Sequence, residues 1–252
     1  MKRIDLFKQH LSEKRAVKII AGINNFDLEN IKKVVSSAEK SGASAVDICA
    51  REDIVSEIRS MTDMPIFVSS IVPSELVRAV ELGADAIEFG NFDVLYETGK
   101  SFSASEVMSL VKETKLMLGD SDVFFCVTIP GEISIEEQIS MAKELESMGI
   151  DLIQTEGHYH SNSELSGARS LMDRAELTIS NTIELVRNVE IPIMTATGIN
   201  PTTAPFAFAA GASAIGCGSC INKLSSDLSM VATASSLVEI ASRNASRVAE
   251  LV

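Results

Sequence analysis

The stretch Leu82-Gly83-Ala84-Asp85-Ala86-Ile87-Glu88-Phe89 decides the fold, because the chain writes close variants of it three more times. They are Ser41-Gly42-Ala43-Ser44-Ala45-Val46-Asp47-Ile48, Met148-Gly149-Ile150-Asp151-Leu152-Ile153-Gln154-Thr155 and Ala210-Gly211-Ala212-Ser213-Ala214-Ile215-Gly216-Cys217. An amphipathic run of helical period precedes each copy, and the glycine falls where a helix stops in a left-handed residue. The apolar run after it has the length of a strand. Helix, glycine and buried strand in alternation signify β/α architecture.

Four further strands fill the gaps between copies. Strand 1 reads Val17-Lys18-Ile19-Ile20-Ala21-Gly22, behind a short helix over residues 3–13. Strand 3 is Pro65-Ile66-Phe67-Val68-Ser69-Ser70, strand 5 is Phe124-Phe125-Cys126-Val127-Thr128, and strand 7 is Pro192-Ile193-Met194-Thr195-Ala196-Thr197. Near-continuous apolar runs suit parallel strands covered on both faces. Ser103 with Glu106 and Ser134 with Glu137 form capping-box starts for two of the intervening helices. A long helical segment from Leu224 to Val252 closes the chain. The expected fold is one TIM-like (β/α)8 barrel over residues 1–252. An open doubly wound sheet is disfavoured, because Gly22-Ile23-Asn24-Asn25 is not the glycine-rich turn such a sheet places after strand 1.

Bulk properties agree. The 252 residues suit one barrel, and 46% apolar content fills a large core. No apolar run reaches the roughly 18 residues of a membrane span, and the start resembles neither a signal nor a transit peptide. A net charge of −13 without basic clusters disfavours nucleic acid. Four cysteines without framework spacing suggest a reducing compartment.

The repeat also sets side-chain direction. Five residues after each glycine stand Asp47, Glu88, Gln154 and Gly216, and two further on stand Cys49, Gly90, Glu156 and Gly218. A strand alternates faces, so both sets point one way and the residues between them point the other. Polar groups at these positions must face the barrel interior, toward the C-terminal mouth where barrel enzymes keep their chemistry. Asp47, Glu88 and Glu156 are candidate general acids and bases, with Lys18 the neighbouring cation. Lys18 is either a Schiff-base or proton-transfer lysine, or the counter-ion of these carboxylates.

Strand 7 runs into Thr197-Gly198-Ile199-Asn200-Pro201, and strand 8 into Gly216-Cys217-Gly218-Ser219. Glycines after these two strands form the usual barrel phosphate cradle, so Gly198, Ile199, Gly218 and Ser219 are candidate phosphate ligands. The longer loop from Asn91 to Phe102 supplies a lid, with Asn91 and Asp93 as candidate substrate contacts beside Thr128, Gln154 and Thr197. His158-Tyr159-His160 lacks a third ligand, so no metal is expected. Cys217-Gly218-Ser219-Cys220 reads as small buried side chains rather than a redox pair.

On Ile19-Ile20-Ala21-Gly22 with Asn25-Phe26, Val46-Asp47-Ile48, Ile87-Glu88-Phe89-Gly90-Asn91-Phe92-Asp93, Ile153-Gln154-Thr155-Glu156-Gly157 and Gly216-Cys217-Gly218-Ser219, the chain resembles the Ycf23 family nearly end to end. That resemblance implies a TIM-like barrel and a plastid or cyanobacterial protein, in the stroma of an alga or the cytoplasm of a cyanobacterium. It implies no activity. The residues themselves favour an enzyme, a lyase or isomerase acting on a small phosphorylated metabolite without a required cofactor. FMN-dependent oxidoreduction is the alternative cofactor chemistry. A non-catalytic metabolite-sensing or partner-binding barrel is the alternative class, and a homo-oligomer stays open.

Overall fold

The computed structural model describes residues 2–96, 99–157 and 165–250. Its elements run α1 (Ile4–Ser12), β1 (Ala16–Ile20), α2 (Leu28–Ser41), β2 (Ala45–Cys49), α3 (Glu52–Met61), β3 (Ile66–Ser70), α4 (Pro73–Glu81), β4 (Ala86–Phe89), α5 (Asp93–Tyr96) and α6 (Ala104–Leu118). They continue with β5 (Phe124–Thr128), α7 (Ile135–Ser147), β6 (Leu152–Thr155), α8 (Gly167–Val186), β7 (Ile193–Thr195), α9 (Ala204–Ala209), β8 (Ala214–Cys217), α10 (Ser219–Asn222) and α11 (Asp227–Glu250). All neighbouring strands are parallel, and β8 pairs back onto β1 to close an eight-stranded barrel. Among the described residues, no helix is long and apolar enough to cross a membrane.

The repeated phrase is a joint. Gly42, Gly83, Gly149 and Gly211 all have positive φ, so each helix ends by turning back toward the sheet. The residue two places on then grips the preceding strand. Ser44, Asp85, Asp151 and Ser213 donate their N–H groups to the carbonyls of Val17, Ile66, Phe125 and Ile193, at 2.8–3.0 Å. In three copies the side chain also accepts the N–H of that same strand residue: Ser44 from Val17, Asp85 from Ile66 and Asp151 from Phe125. A polar residue therefore recurs there because it satisfies backbone at the start of an odd strand. Ser44 has one more partner, its hydroxyl standing 2.8 Å from Nδ1 of buried His10 on α1.

Three cores hold the barrel. Two lie between strands and helices, where α11 packs Met230, Ala234, Leu237 and Ala241 into the cluster that holds Val34, Val35 and Ala38 of α2. The third plugs the N-terminal end of the barrel from within. Phe7 of α1 is fully buried there, edge-on to Phe67 at 4.8 Å and to Phe124 at 5.7 Å. Burying such a ring is worth about 1.5–3 kcal/mol. Both predicted capping boxes form, at Ser103 and Ser134.

Three expectations need correction. β1 begins one residue earlier than expected and ends at Ile20. β7 spans only Ile193–Thr195, because Thr197 takes a left-handed conformation (φ 66°) that no strand continues through. The long closing helix starts at Asp227, three residues after the expected Leu224.

Candidate functional site

Lys18, Asp47 and Glu88 are the middle or near-middle residues of β1, β2 and β4, and all three are wholly excluded from solvent. They sit one layer below the mouth rather than at its rim. Lys18 Nζ bonds to Glu88 Oε2 and lies 3.1 Å from Asp47 Oδ2, over the face of Phe67 at 5.1 Å. Burial works against the ammonium, yet Glu88 and then Asp47 outweigh it and hold Lys18 above its ordinary pKa. Burial pushes Asp47 up to about 6, against the pull of Lys18. Cys126, in the same layer, is driven well up by burial and remains a thiol.

A chain of hydrogen bonds leads from this triad to the rim. Ser69 donates to Asp47, at 2.7 and 2.8 Å from its two oxygens, and Asn91 Nδ2 donates to Ser69 Oγ at 2.9 Å. Gln154 Nε2 faces Asn91 Oδ1 at 2.8 Å, Glu88 Oε1 at 2.8 Å and Thr128 Oγ1 at 3.0 Å. Thr128 in turn donates to Glu88 Oε1 at 3.3 Å. Gln154 Oε1 is buried with no hydrogen-bond partner among the described residues. Just beyond β6, buried Glu156 receives the phenol of Tyr96 at 2.9 Å.

Backbone conformation shapes the same end. Asn91 (φ 66°) and Thr197 (φ 66°) are left-handed without being glycine. Such residues store strain and concentrate at functional sites. Gly90 admits no side chain, since a Cβ there would lie 2.3 Å from Thr128 Cβ. At Gly198 a Cβ would lie 2.5 Å from the Arg174 carbonyl oxygen, so α8 is pressed against the loop after β7.

Among the described residues, the N–H groups of Gly198, Ile199, Gly218 and Ser219 have no protein acceptor. β7 and β8 are paired neighbours, which brings the two loops to one side of the mouth. Cys217 points outward into the helical layer, where burial raises its thiol, and the nearby Cys217 thiol lowers Cys220.

The structure thus gathers Lys18, Asp47, Glu88, Thr128, Gln154, Asn91 and Glu156 at the upper interior. Gly198, Ile199, Gly218 and Ser219 lie at the ends of β7 and β8, beside Thr197. The side chain of Asp93 and the segment His158–His160 lie outside the described residues. Sequence reasoning did not single out Ser69, although its place two residues after Phe67 on strand 3 puts it on the interior face. It also passed over the bare interior positions Gly90 and Gly216 as contributors of space.

Residues 2–247 match the family model described as "Protein of unknown function (DUF561)". The chain is 40% identical over 220 residues to "Uncharacterized protein ycf23" of Pyropia yezoensis, spanning 87% of this chain and 80% of that one. It is 36% identical over 230 residues to the protein of that name from Cyanophora paradoxa, spanning 91% and 92%. Among solved structures, it is similar to (S)-3-O-geranylgeranylglyceryl phosphate synthase from Thermoplasma acidophilum, in complex with sn-glycerol-1-phosphate. That TM-score is 0.62 at 16% identity, covering 96% of this chain and 98% of that one. Thiamine phosphate pyrophosphorylase from Pyrococcus furiosus is similar at a TM-score of 0.58 and 16% identity, covering 93% and 98%. 3-Hexulose-6-phosphate synthase from Salmonella typhimurium follows at 0.60 and 13%, covering 91% and 99%. At such identities the likeness establishes the barrel fold.

Proposed function

This chain belongs to the Ycf23 (DUF561) family, and we propose that it is a single-domain enzyme, residues 1–252, acting on a small phosphorylated metabolite at the C-terminal ends of its strands. Lyase or isomerase chemistry is the reading its residues support best. The observation that carries it is a mouth with two levels: N–H groups after β7 and β8 that have no acceptor among the described residues, and a buried lysine–carboxylate network one layer below them. The structural neighbours named for phosphorylated compounds support the same ligand class. The sources of the relatives support a plastid setting, stromal in an alga and cytoplasmic in a cyanobacterium.

In this reading Gly198, Ile199, Gly218 and Ser219 take the phosphate through backbone N–H groups, and Ser219 adds its hydroxyl. Asn91, Asp93, Thr128, Gln154 and Thr197 orient the remainder of the ligand. Lys18 acts as an ammonium. Its carboxylate partners keep it protonated, which weakens the amine as a Schiff-base nucleophile and suits it to stabilising negative charge developing on a substrate oxygen. Asp47, with its pKa pushed up to about 6, exchanges a proton near neutral pH, and Glu156 acts as a second acid or base nearer the rim.

A second reading, a barrel that binds a metabolite without turning it over, draws on the complete burial of Lys18, Asp47 and Glu88. Both readings require a ligand, so a thermal-shift screen with phosphorylated metabolites and inorganic phosphate tests them first. A ligand at about 100 times its dissociation constant stabilises the fold by about 2.7 kcal/mol. A melting temperature unmoved by every phosphate compound overturns the metabolite reading. A colourless preparation, without flavin absorption, separates this chemistry from FMN-dependent oxidoreduction.

A further inference from the structure

We propose that the side chain of Asn91 is a removable crossbar over the buried lysine–carboxylate layer, and that its withdrawal is the step that lets a ligand reach Lys18. The inference rests on the enzyme reading, in which Lys18 meets an oxygen of the substrate.

Lys18, Asp47, Glu88, Ser69 and Thr128 expose nothing to solvent, Gln154 exposes 1% of its surface and Asn91 9%. Asn91 is therefore the outermost of these seven. It is also the one that does not stand on a strand. Ser69, Thr128 and Gln154 are held in β3, β5 and β6 by strand pairing, whereas Asn91 follows the end of β4 in a left-handed turn (φ 66°). Its amide crosses the lumen: Nδ2 donates to Ser69 Oγ at 2.9 Å, and Oδ1 accepts from Gln154 Nε2 at 2.8 Å. β3 and β6 stand three places apart in the ring of eight, so the bar reaches from one wall to nearly the opposite one. Asp47 is bonded to Ser69 at one end of it, and Glu88 to Gln154 at the other.

The network is wired to survive the loss of this one member. Gln154 Nε2 carries two hydrogens and faces three acceptors: Glu88 Oε1, Asn91 Oδ1 and Thr128 Oγ1. One acceptor is surplus, so both hydrogens keep partners when Asn91 leaves. Ser69 still gives its hydroxyl proton to Asp47. Withdrawal thus strands no buried donor, and the freed amide of Asn91, already at the solvent boundary, turns to water. Withdrawing Ser69 or Gln154 instead would take a donor away from Asp47 or Glu88 and leave a buried carboxylate poorly paired. The departing amide also vacates volume directly over the layer, room that the closed packing lacks.

Acetylation of Lys18 by acetic anhydride in the full chain, followed by mass spectrometry of its peptide and scaled to exposed Lys143, tests the crossbar. Asn91→Gly keeps the left-handed turn and removes the amide. Asn91 carries no charge, so the substitution leaves the ion pairs of Lys18 in place. Lys18 should then react at least about tenfold faster than in the parent, the change expected when a minor open state becomes the dominant one. Gly42→Ala, which loosens the fold at the opposite end of the barrel, should leave the Lys18 rate within about twofold of the parent. Ser69→Ala frees one end of the bar and raises the rate in the same direction, should Asn91→Gly fail to fold. Lys18 as protected in Asn91→Gly as in the parent overturns the proposal. So does an equal acceleration by Gly42→Ala, which would make the exposure a general loosening. No ligand takes part, so either failure is separate from that of the metabolite reading, which the melting screen decides.

Discussion

Tyr96 on α5 donates its phenol to Glu156 just beyond β6, 2.9 Å away, and so ties the connection after β4 to the connection two strands further round the barrel mouth. Tyr96→Phe removes one hydrogen bond and should cost about 0.5–1.5 kcal/mol of stability, read from urea denaturation. Glu156→Gln separates the two functional readings. For an enzyme, turnover should vanish while ligand affinity stays within about tenfold, a loss confined to the transition state. For a binding protein, the change should appear in affinity alone.

Replacing Lys18 by Met leaves Asp47 and Glu88 facing each other in the barrel without a cation. Stability should fall by about 3–5 kcal/mol, because breaking a buried ion network strands uncompensated charge. Adding Glu88→Gln to Lys18→Met should recover part of that loss, since one stranded charge is then gone. Denaturant midpoints of the two variants check this, and a double variant weaker than the single one would contradict it.

Gly90 and Gly42 differ in what they meet. At Gly90 (φ 139°) a Cβ would collide with Thr128, whereas at Gly42 (φ 72°) nothing lies within 4 Å. Gly90→Ala should therefore cost about 2–4 kcal/mol, strain and overlap together. Gly42→Ala should cost about 1–2 kcal/mol, the left-handed penalty alone. Comparable losses in the two variants would mean that Thr128 moves aside.

Two buried groups give stability opposite slopes with pH. Burial raises Asp47 to about 6, so the folded state holds its proton longer than the unfolded chain does. Stability from this group declines as pH rises from its ordinary value near 3.8 to about 6. Burial lowers His10 instead, so the unfolded chain takes up the proton first, and stability is lost as pH falls below 6.5. The buried ring stands 2.8 Å from the hydroxyl of Ser44, which also accepts the Val17 N–H. Asp47→Asn and His10→Asn should each flatten one slope in melting temperatures measured across pH 4–8. Both variants keeping the parent profile would contradict the assignment.

The architecture was legible in the repeat because its physics is local. A helix ends in a left-handed glycine, a polar residue catches the preceding strand, and apolar residues enter the barrel wall. Strand alternation gave the inward direction of Asp47, Glu88 and Gln154, which do meet inside the barrel. The pairing of Ser69 with Asp47, or of Tyr96 with Glu156, depends on how strands are staggered around the closed ring. Nothing within one segment encodes that stagger. The hydroxyl cluster of Thr155, Thr178, Thr182 and Thr195, which fastens α8 to β6 and β7, escaped notice for another reason. Threonines in a helix read as surface until their partners on the strands are known. Likewise the truncation of β7 follows from one dihedral at Thr197, a β-branched residue whose type favours the strand it interrupts.

The aromatic plug at Phe7, Phe67 and Phe124 makes the barrel a blind alley. Lys18 and Asp47 are wholly excluded from solvent above it, so on the enzyme reading the ligand, its products and any proton in transit share one doorway, the C-terminal mouth. With a ligand seated in that doorway, a hydrogen lifted by a carboxylate below has nowhere to go but back onto the molecule it left. An isomerisation run in heavy water should therefore yield product that keeps most of its original hydrogen, and extensive washout of the label would mean that the alley has a second exit.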